Sequence, residues 1–432
     1  TVQLGRDINA LTGNIGFGLT TVQAGATLNI LGANEAPGRP VIADLSNLGN
    51  VNITGPDACG EGNFRNVGSW NNASTVTLTD SKFTFNNPTT FTANAGTILV
   101  NDGATLNAKI AMPATQTLQL NGDGKCSAFG QPEGALEYGA AVTIASPIQI
   151  QSDTLMTANG AGPTVFSGVL SGSSTLKLDN YAGTATRSGT ATFSNAGNTF
   201  TGDLIIDSTS LLDSHPLAFD ESNVIMEGSA YIQNTQTMTF KSLASDSPNT
   251  NITTWGVPII LTDNGVTTFA GRIVNSAAGF NTVTLDGSGE ELILTNPTAV
   301  NSGYRAVNGA KFSFTGGQGV GKIDVESGST FTFGRTTSGY VNTGPVNMTG
   351  NSTLEVRAIT PSSTGFFIAY GGLNVTGGYK VDLPDPMVAG TYNIMQAWTG
   401  TGPGQIPTIG VNNTGLTPTF SWSGQFLRVT LA

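Results

Sequence analysis

The chain has 432 residues, 10% charged and 38% hydrophobic, with 57 glycines and a net charge of −11 from 17 Lys+Arg against 28 Asp+Glu. No basic patch exists to displace phosphate counterions, which argues against a nucleic-acid partner. The abundance of Thr and Val with so little charge argues against disorder. No run approaches the ~18 apolar residues of a membrane helix, so no membrane span is expected. Length does not fix a domain count, because a repeat architecture grows coil by coil.

The chain opens at Thr1 without an initiator Met or a charged, apolar leader, which reads as a processed secreted product or a trimmed chain. Thr1, Val2, Gln3 and Leu4 form an extended run able to add to a neighbour's sheet edge, and are assigned to assembly. A short motif follows at VQAGATL (Val22 to Leu28): an apolar residue, a Gly corner, two small residues, then another apolar residue. It recurs as VNDGATL from Val100, IMEGSAY from Ile225 and VESGSTF from Val325, with a longer cousin, VNMTGNSTL, from Val346. Each copy reads as strand, corner, strand, with Gly supplying a left-handed backbone.

Between the corners lie alternating runs such as VTLTDSKFTF (Val76 to Phe85), TVTL (Thr282 to Leu285) and KFSF (Lys311 to Phe314). Period-two alternation turns Val, Leu and Phe to one face and Thr, Ser or Lys to the other. No window of ten residues carries a helical period. An antiparallel sandwich would also alternate, but the corners recur with few hairpin dipeptides; Asn-Gly occurs only at Asn121, Asn159, Asn264 and Asn308. The expected fold is all-β: a right-handed parallel β-helix, or β-solenoid, with a small C-terminal β cap.

Residues 1–376 are expected to form the β-helix, with a lateral loop over residues 55–72 that carries Cys59, Phe64 and Trp70. Residues 377–432 differ in texture and are expected to cap or assemble, with Trp398 and Trp422 bulky enough to cover an open coil. Cys59 and Cys126 read as one disulfide, worth about 4 kcal/mol by loop closure, or as two buried thiols. Neither has the spacing of a metal site.

Candidate chemistry is sparse. The densest acidic group is Asp179, Asp203, Asp207, Asp213, Asp220 and Glu221, which reads as corner and solvent residues, and His215 sits alone in DSHPL as a loop residue. NGDG from Asn121 and GGQGVGKID from Gly316 lack the register of Ca²⁺ or phosphate loops. Sequons at Asn52, Asn72, Asn251, Asn347, Asn351, Asn374 and Asn412 are near chance frequency in a chain this rich in Asn, Ser and Thr. No catalytic, cofactor-binding or metal-binding residue is assigned, and no cofactor.

TFSNAGNTFTGDLIID (Thr192 to Asp207) resembles the autotransporter-associated β-strand repeat. Asn195, Asn198, Thr199, Phe200, Thr201 and Gly202 match its most recognisable stretch, with Phe200 in the place of its Tyr, and GVLSGSSTLKL from Gly168 resembles the usual lead-in. A weaker copy runs from Gly287 to Phe314 without the central Gly. The resemblance implies a right-handed parallel β-helix, secreted and displayed outside the cell; the membrane barrel that ends such proteins does not follow RVTLA at Ala432, and is expected to be absent, cleaved away or never part of this protein. The expected function is therefore that of a non-catalytic structural or adhesive solenoid, secreted or at the cell surface, with copies of itself and surface glycans as partners. It would build a fibre, sheath or surface layer. The competing expectation is a carbohydrate-active β-helix, such as a depolymerase or lyase, or a glycan-binding adhesin.

Overall fold

A computed structural model describes residues 2–4, 16–31, 41–55, 59, 63–86, 89–92, 95–127, 130–180, 189–212, 214–263, 265–275, 281–296, 302–315, 319–334, 341–357 and 367–432. Thr1 and Asp213 lie outside these, as do residues 297–301 of the weaker repeat copy. Among the described residues there is no helix. Short strands stack in parallel as a β-solenoid, and the chain falls into two compact units, 1–222 and 223–432.

The corners explain why the strands are short. Gly25, Gly103, Gly228 and Gly328 all take positive φ, as the motif requires. In each copy the residue after Gly donates its N–H, or passes that role one place on, to close a four-residue turn: Ala26 to Gln23, Ala104 to Asn101, Ala230 to Glu227 and Ser329 to Glu326, at 2.9–3.0 Å. The longer cousin differs, since there Asn351 and not Gly350 takes the left-handed conformation. Asn is one of the few non-glycine residues that visits it, because its short polar side chain can hydrogen-bond locally.

Each strand then buries alternate residues against its equivalents in adjacent coils. In the first unit, Leu28, Val51, Val76, Ile98, Leu118, Ile148 and Leu170 are register partners in succession, and all are buried. A second column is aromatic: Tyr138, Phe166, Phe193 and Phe219 lie with successive ring centroids 4.8–5.5 Å apart. In the second unit the column runs Leu292, Phe312, Phe331, Leu354, Val381 and Ile409. A coil lacking a neighbour would leave such a face in water, so coils are stable only as a stack.

The residues that carry the repeat resemblance are those that fit one coil to the next. Asn198 Oδ1 accepts the Leu170 N–H at 2.8 Å, and Asn195 Nδ2 donates to the Ser167 carbonyl at 2.8 Å. Phe200 is buried. A Cβ on Gly202 would lie 1.9 Å from the Ser174 carbonyl oxygen, so the close approach admits only Gly. Gly202→Ala is expected to cost about 3 kcal/mol through overpacking against backbone, read as a lowered thermal midpoint.

Two expectations change. The lateral loop over residues 55–72 is shorter than its sequence suggests, because Asn63–Asn66 and Ser69–Asn72 are strands in register with Val41–Asn47. Phe64 and Trp70 are buried in them. Parallel stacking also continues past Gly377, through Tyr379–Leu383 and Thr408–Asn412. Gly390–Ala397 still pairs in parallel with Phe367–Ala369, but its other edge takes Phe426–Leu431 antiparallel, and Pro418–Ser423 adds antiparallel to that strand, burying Leu427, Val429 and Leu431 as a β cap.

Candidate functional site

Strands Lys82–Phe85, Thr105–Ala108 and Leu136–Tyr138 lie side by side, with Lys82 opposite Thr105, Thr84 opposite Asn107 and Asn107 opposite Glu137. Alternation turns Phe83, Phe85, Leu106 and Leu136 to the core and should leave Lys82, Asn107 and Glu137 in water. Yet Asn107 and Glu137 are buried. The segment Asp123–Gly134 explains it: this segment doubles back on itself, with Glu133 N–H donating to the Lys125 carbonyl at 2.8 Å and Gly134 N–H to the Asp123 carbonyl at 2.9 Å. It is fastened by Thr105 Oγ1, which donates to the Gly134 carbonyl at 2.8 Å, and by the disulfide between Cys126 and Cys59. That bond closes a separation of 67 residues, for which loop closure gives about 4 kcal/mol.

Lys82 Nζ lies 2.6 Å from Glu137 Oε1 and 3.0 Å from Glu133 Oε2. Asn107 Nδ2 donates to the other oxygen, Glu137 Oε2. Lys125 Nζ donates to the Asp80 carbonyl at 2.8 Å. Both carboxylates thus find a partner in the one Lys82 ammonium, as burial demands. Burial pushes the Glu137 carboxyl above its ordinary range, against the pull of Lys82, and the charge of Glu133 adds to the rise. Its contribution to stability is therefore greatest at low pH and declines as pH rises above about 4 toward the raised value. The cluster sets an amine, a carboxamide and two carboxyls in one enclosed place.

A second charged group lies in the other unit. Lys311 Nζ reaches Glu355 Oε1 at 3.0 Å and Glu291 Oε1 at 3.6 Å, and Arg357 Nε donates to Glu355 Oε1. Glu355 is the register partner of Asp382, whose Oδ1 accepts the Val411 N–H at 2.7 Å. Burial alone would raise the Glu355 carboxyl, but hydrogen bonds from Arg357 and Lys311 outweigh it and hold it below the usual range. Burial raises Asp382, and the neighbouring Glu355 charge adds to that. A lowered carboxyl contributes stability above about pH 4 and loses it as pH falls through the lowered value. Glu355→Gln should therefore lower the thermal midpoint at pH 7, with the difference from wild type shrinking by pH 3.

The expected site residues fare differently. Cys59 and Cys126 are bonded. Val2, Gln3 and Leu4 pair with Leu28, Asn29 and Ile30, while Thr1 is outside the described residues. Trp398 is half exposed and stacks on Tyr370 with centroids 6.4 Å apart, whereas Trp422 donates its indole N–H to the Gln405 carbonyl at 2.8 Å within the cap. Among the described residues the acidic group from Asp179 to Glu221 gathers into no ligand cluster: Asp207 pairs with Lys177 at 2.9 Å and Asp179 caps the Asn180 N–H, while Asp213 lies outside the described residues. His215 Nδ1 accepts the Leu217 N–H in its own turn. Several sequon asparagines already use their amide: Asn52 donates to Asn29, Asn347 to Asp324 and Asn374 to Asn347, at 2.6–2.8 Å.

No family model matches the chain, and no curated protein does. Among solved structures, the Haemophilus influenzae Hap adhesin aligns at 9% identity and a TM-score of 0.23, over 96% of this chain. The chain spans 64% of that structure's length, and at this level of likeness nothing is carried over from it.

Proposed function

We propose that the chain is a non-catalytic, extracellular structural or adhesive β-solenoid that associates with copies of itself, related in kind to autotransporter passengers. The repeat resemblance at residues 192–207 supports this, as does a disulfide of the sort that persists in oxidising compartments. The observation that carries self-association is the end of the core column in the second unit. Ile409 continues the buried series through Leu354 and Val381, yet it is 41% exposed. Its strand, Thr408–Asn412, is exposed throughout and pairs on one side with Tyr379–Leu383; among the described residues no strand takes its other edge. An unpaired edge with an apolar core position is a template for a further strand. Negative-stain microscopy across concentration and salt should show ordered multimers that Ile409→Asp abolishes, and isolated monomers under every condition would defeat the proposal.

A second reading, a carbohydrate-active surface, is favoured by one feature: the register-paired carboxyls Glu355 and Asp382 are pushed in opposite pKa directions. Environments that separate two carboxyls in this way suit acid and base roles. Product release from acidic or neutral polysaccharides, lost in Asp382→Asn, would support that reading in place of the first.

A further inference from the structure

We propose that Lys82 and Asn107 become joined by an intramolecular isopeptide bond, promoted by Glu137. The inference goes beyond the structural or adhesive reading and does not depend on it. Three observations meet at this place. First, the register leaves little choice of neighbour. Lys82 and Glu137 belong to strands separated by Thr105–Ala108, and the Lys82 amine nevertheless lies 2.6 Å from Glu137 Oε1. To do so, its side chain crosses the intervening strand, at the level where that strand places Asn107 directly opposite Glu137.

Second, one carboxyl touches both would-be reactants. Glu137 Oε1 receives the amine and Oε2 receives the Asn107 amide. A nucleophile, an electrophile and a shared proton carrier are the parts that acyl transfer requires, and holding them in fixed geometry supplies much of the rate. Third, the place is enclosed. The Glu137 side chain is 0% exposed and that of Lys82 14%, beneath a segment fastened by the disulfide. Exclusion of water also keeps it from competing with the amine for the carboxamide carbon. Glu133, 3.0 Å from the same amine, is the second charged group facing it, and it holds the amine within this enclosure.

The step balances without any co-reactant. A proton passes from the Lys82 ammonium to Glu137, and the neutral Nζ attacks Asn107 Cγ to form a C–N bond. The tetrahedral adduct takes a proton from Glu137 onto Nδ2 as Nζ gives up another, and the Cγ–Nδ2 bond breaks. The products are a secondary amide, one ammonia and Glu137 holding the remaining proton. No atom is oxidised or reduced. The new bond would staple one coil to the next beside the disulfide.

Intact-mass measurement of the full chain, reduced and unfolded after prolonged incubation in the folded state, tests this. Wild type is expected to fall below its sequence mass by one ammonia, about 17 Da, and to yield a branched peptide joining the segments that hold Lys82 and Asn107. Lys82→Arg and Glu137→Gln are expected at full sequence mass. Wild type at full sequence mass would overturn the proposal whether or not the variants fold. So would a deficit that survives Lys82→Arg, since a backbone succinimide at an Asn-Gly site gives the same loss.

Discussion

Replacing Trp70 by Ala is expected to destabilise its unit by about 3–5 kcal/mol, the usual cost of emptying a large aromatic site in a packed core. Trp70 is buried, with its ring edge-on to Phe85 at 4.8 Å and tilted against Phe83 at 5.4 Å, while Phe91 packs on Phe85 at 5.0 Å. These rings come from two adjacent coils, Trp70 and Phe91 being register partners, so a cavity here loosens the contact between coils as well as the coil that holds it. Trp70→Phe should cost far less. Among the described residues the indole nitrogen of Trp70 has no hydrogen-bond partner, and an unsatisfied buried donor is itself unfavourable, so the substitution removes a penalty while it leaves a smaller cavity. Urea unfolding of the two variants against wild type checks both magnitudes. A loss under 1 kcal/mol for Trp70→Ala would mean that the ring is not enclosed as described.

Asn72→Ala should rank next, at about 2–4 kcal/mol, for an electrostatic reason. Asn47, Asn72 and Gln116 are buried on three coils and joined through their side chains: Asn47 Nδ2 donates to Asn72 Oδ1 at 2.8 Å, and Asn72 Nδ2 donates to Gln116 Oε1 at 3.1 Å and to the Thr97 carbonyl at 3.2 Å. Gln116 Nε2 in turn donates to the Asn72 carbonyl at 2.9 Å. Truncating the middle member leaves a buried donor on one side and a buried acceptor on the other, each worth about 1–3 kcal/mol when orphaned. Asn72→Asp should be worse at neutral pH. Its carboxylate could still accept from Asn47 but would face the Gln116 and Thr97 oxygens, and an unpaired charge would sit in the core. Acid should recover part of that loss, because protonation restores a donor. Thermal melts of Asn72→Asp at pH 3 and pH 7, each referred to wild type at the same pH, check the sign.

The corners and the apolar columns were legible in the sequence because each depends on one residue type at one spacing. Gly25, Gly103, Gly228 and Gly328 mark turns that need a left-handed backbone, and runs such as VTLT or KFSF carry their own period. What alternation hides is a polar residue facing inward. Nothing in the local pattern marks Asn47, Asn72 and Gln116 as core residues before stacking gives them one another. The same blindness turned Asn63–Asn66 and Ser69–Asn72 into an apparent loop, since Asn, Arg and Ser flank Phe64 and Trp70 there.

The charged cluster was invisible for a different reason. Lys82 and Glu137 are 55 residues apart, and coils of unequal length prevent a fixed spacing from joining them. Local density pointed instead to Asp179 through Glu221, where Asp207 pairs with Lys177 and Asp179 serves its own neighbour. Within a coil, sequence reports which way a side chain turns. Which coil lies beneath it, and whether a segment such as Asp123–Gly134 folds back over it, depends on the accumulated length of every corner.

Stacking of successive coils in parallel register is tested most directly by cysteine pairs on the outward face of the first unit. Thr77 is the register partner of Leu99, and Leu99 of Gln119, in three consecutive strands. Adjacent partners in a parallel stack lie ~4.8 Å apart, within disulfide reach, while residues two strands apart are ~9.6 Å apart and beyond it. Thr77→Cys with Leu99→Cys, and Leu99→Cys with Gln119→Cys, should each oxidise to a new disulfide seen by mass in non-reduced protein, and Thr77→Cys with Gln119→Cys should not. Ready bonding of the 77 and 119 pair, with the two adjacent pairs remaining as thiols, would contradict the parallel stack.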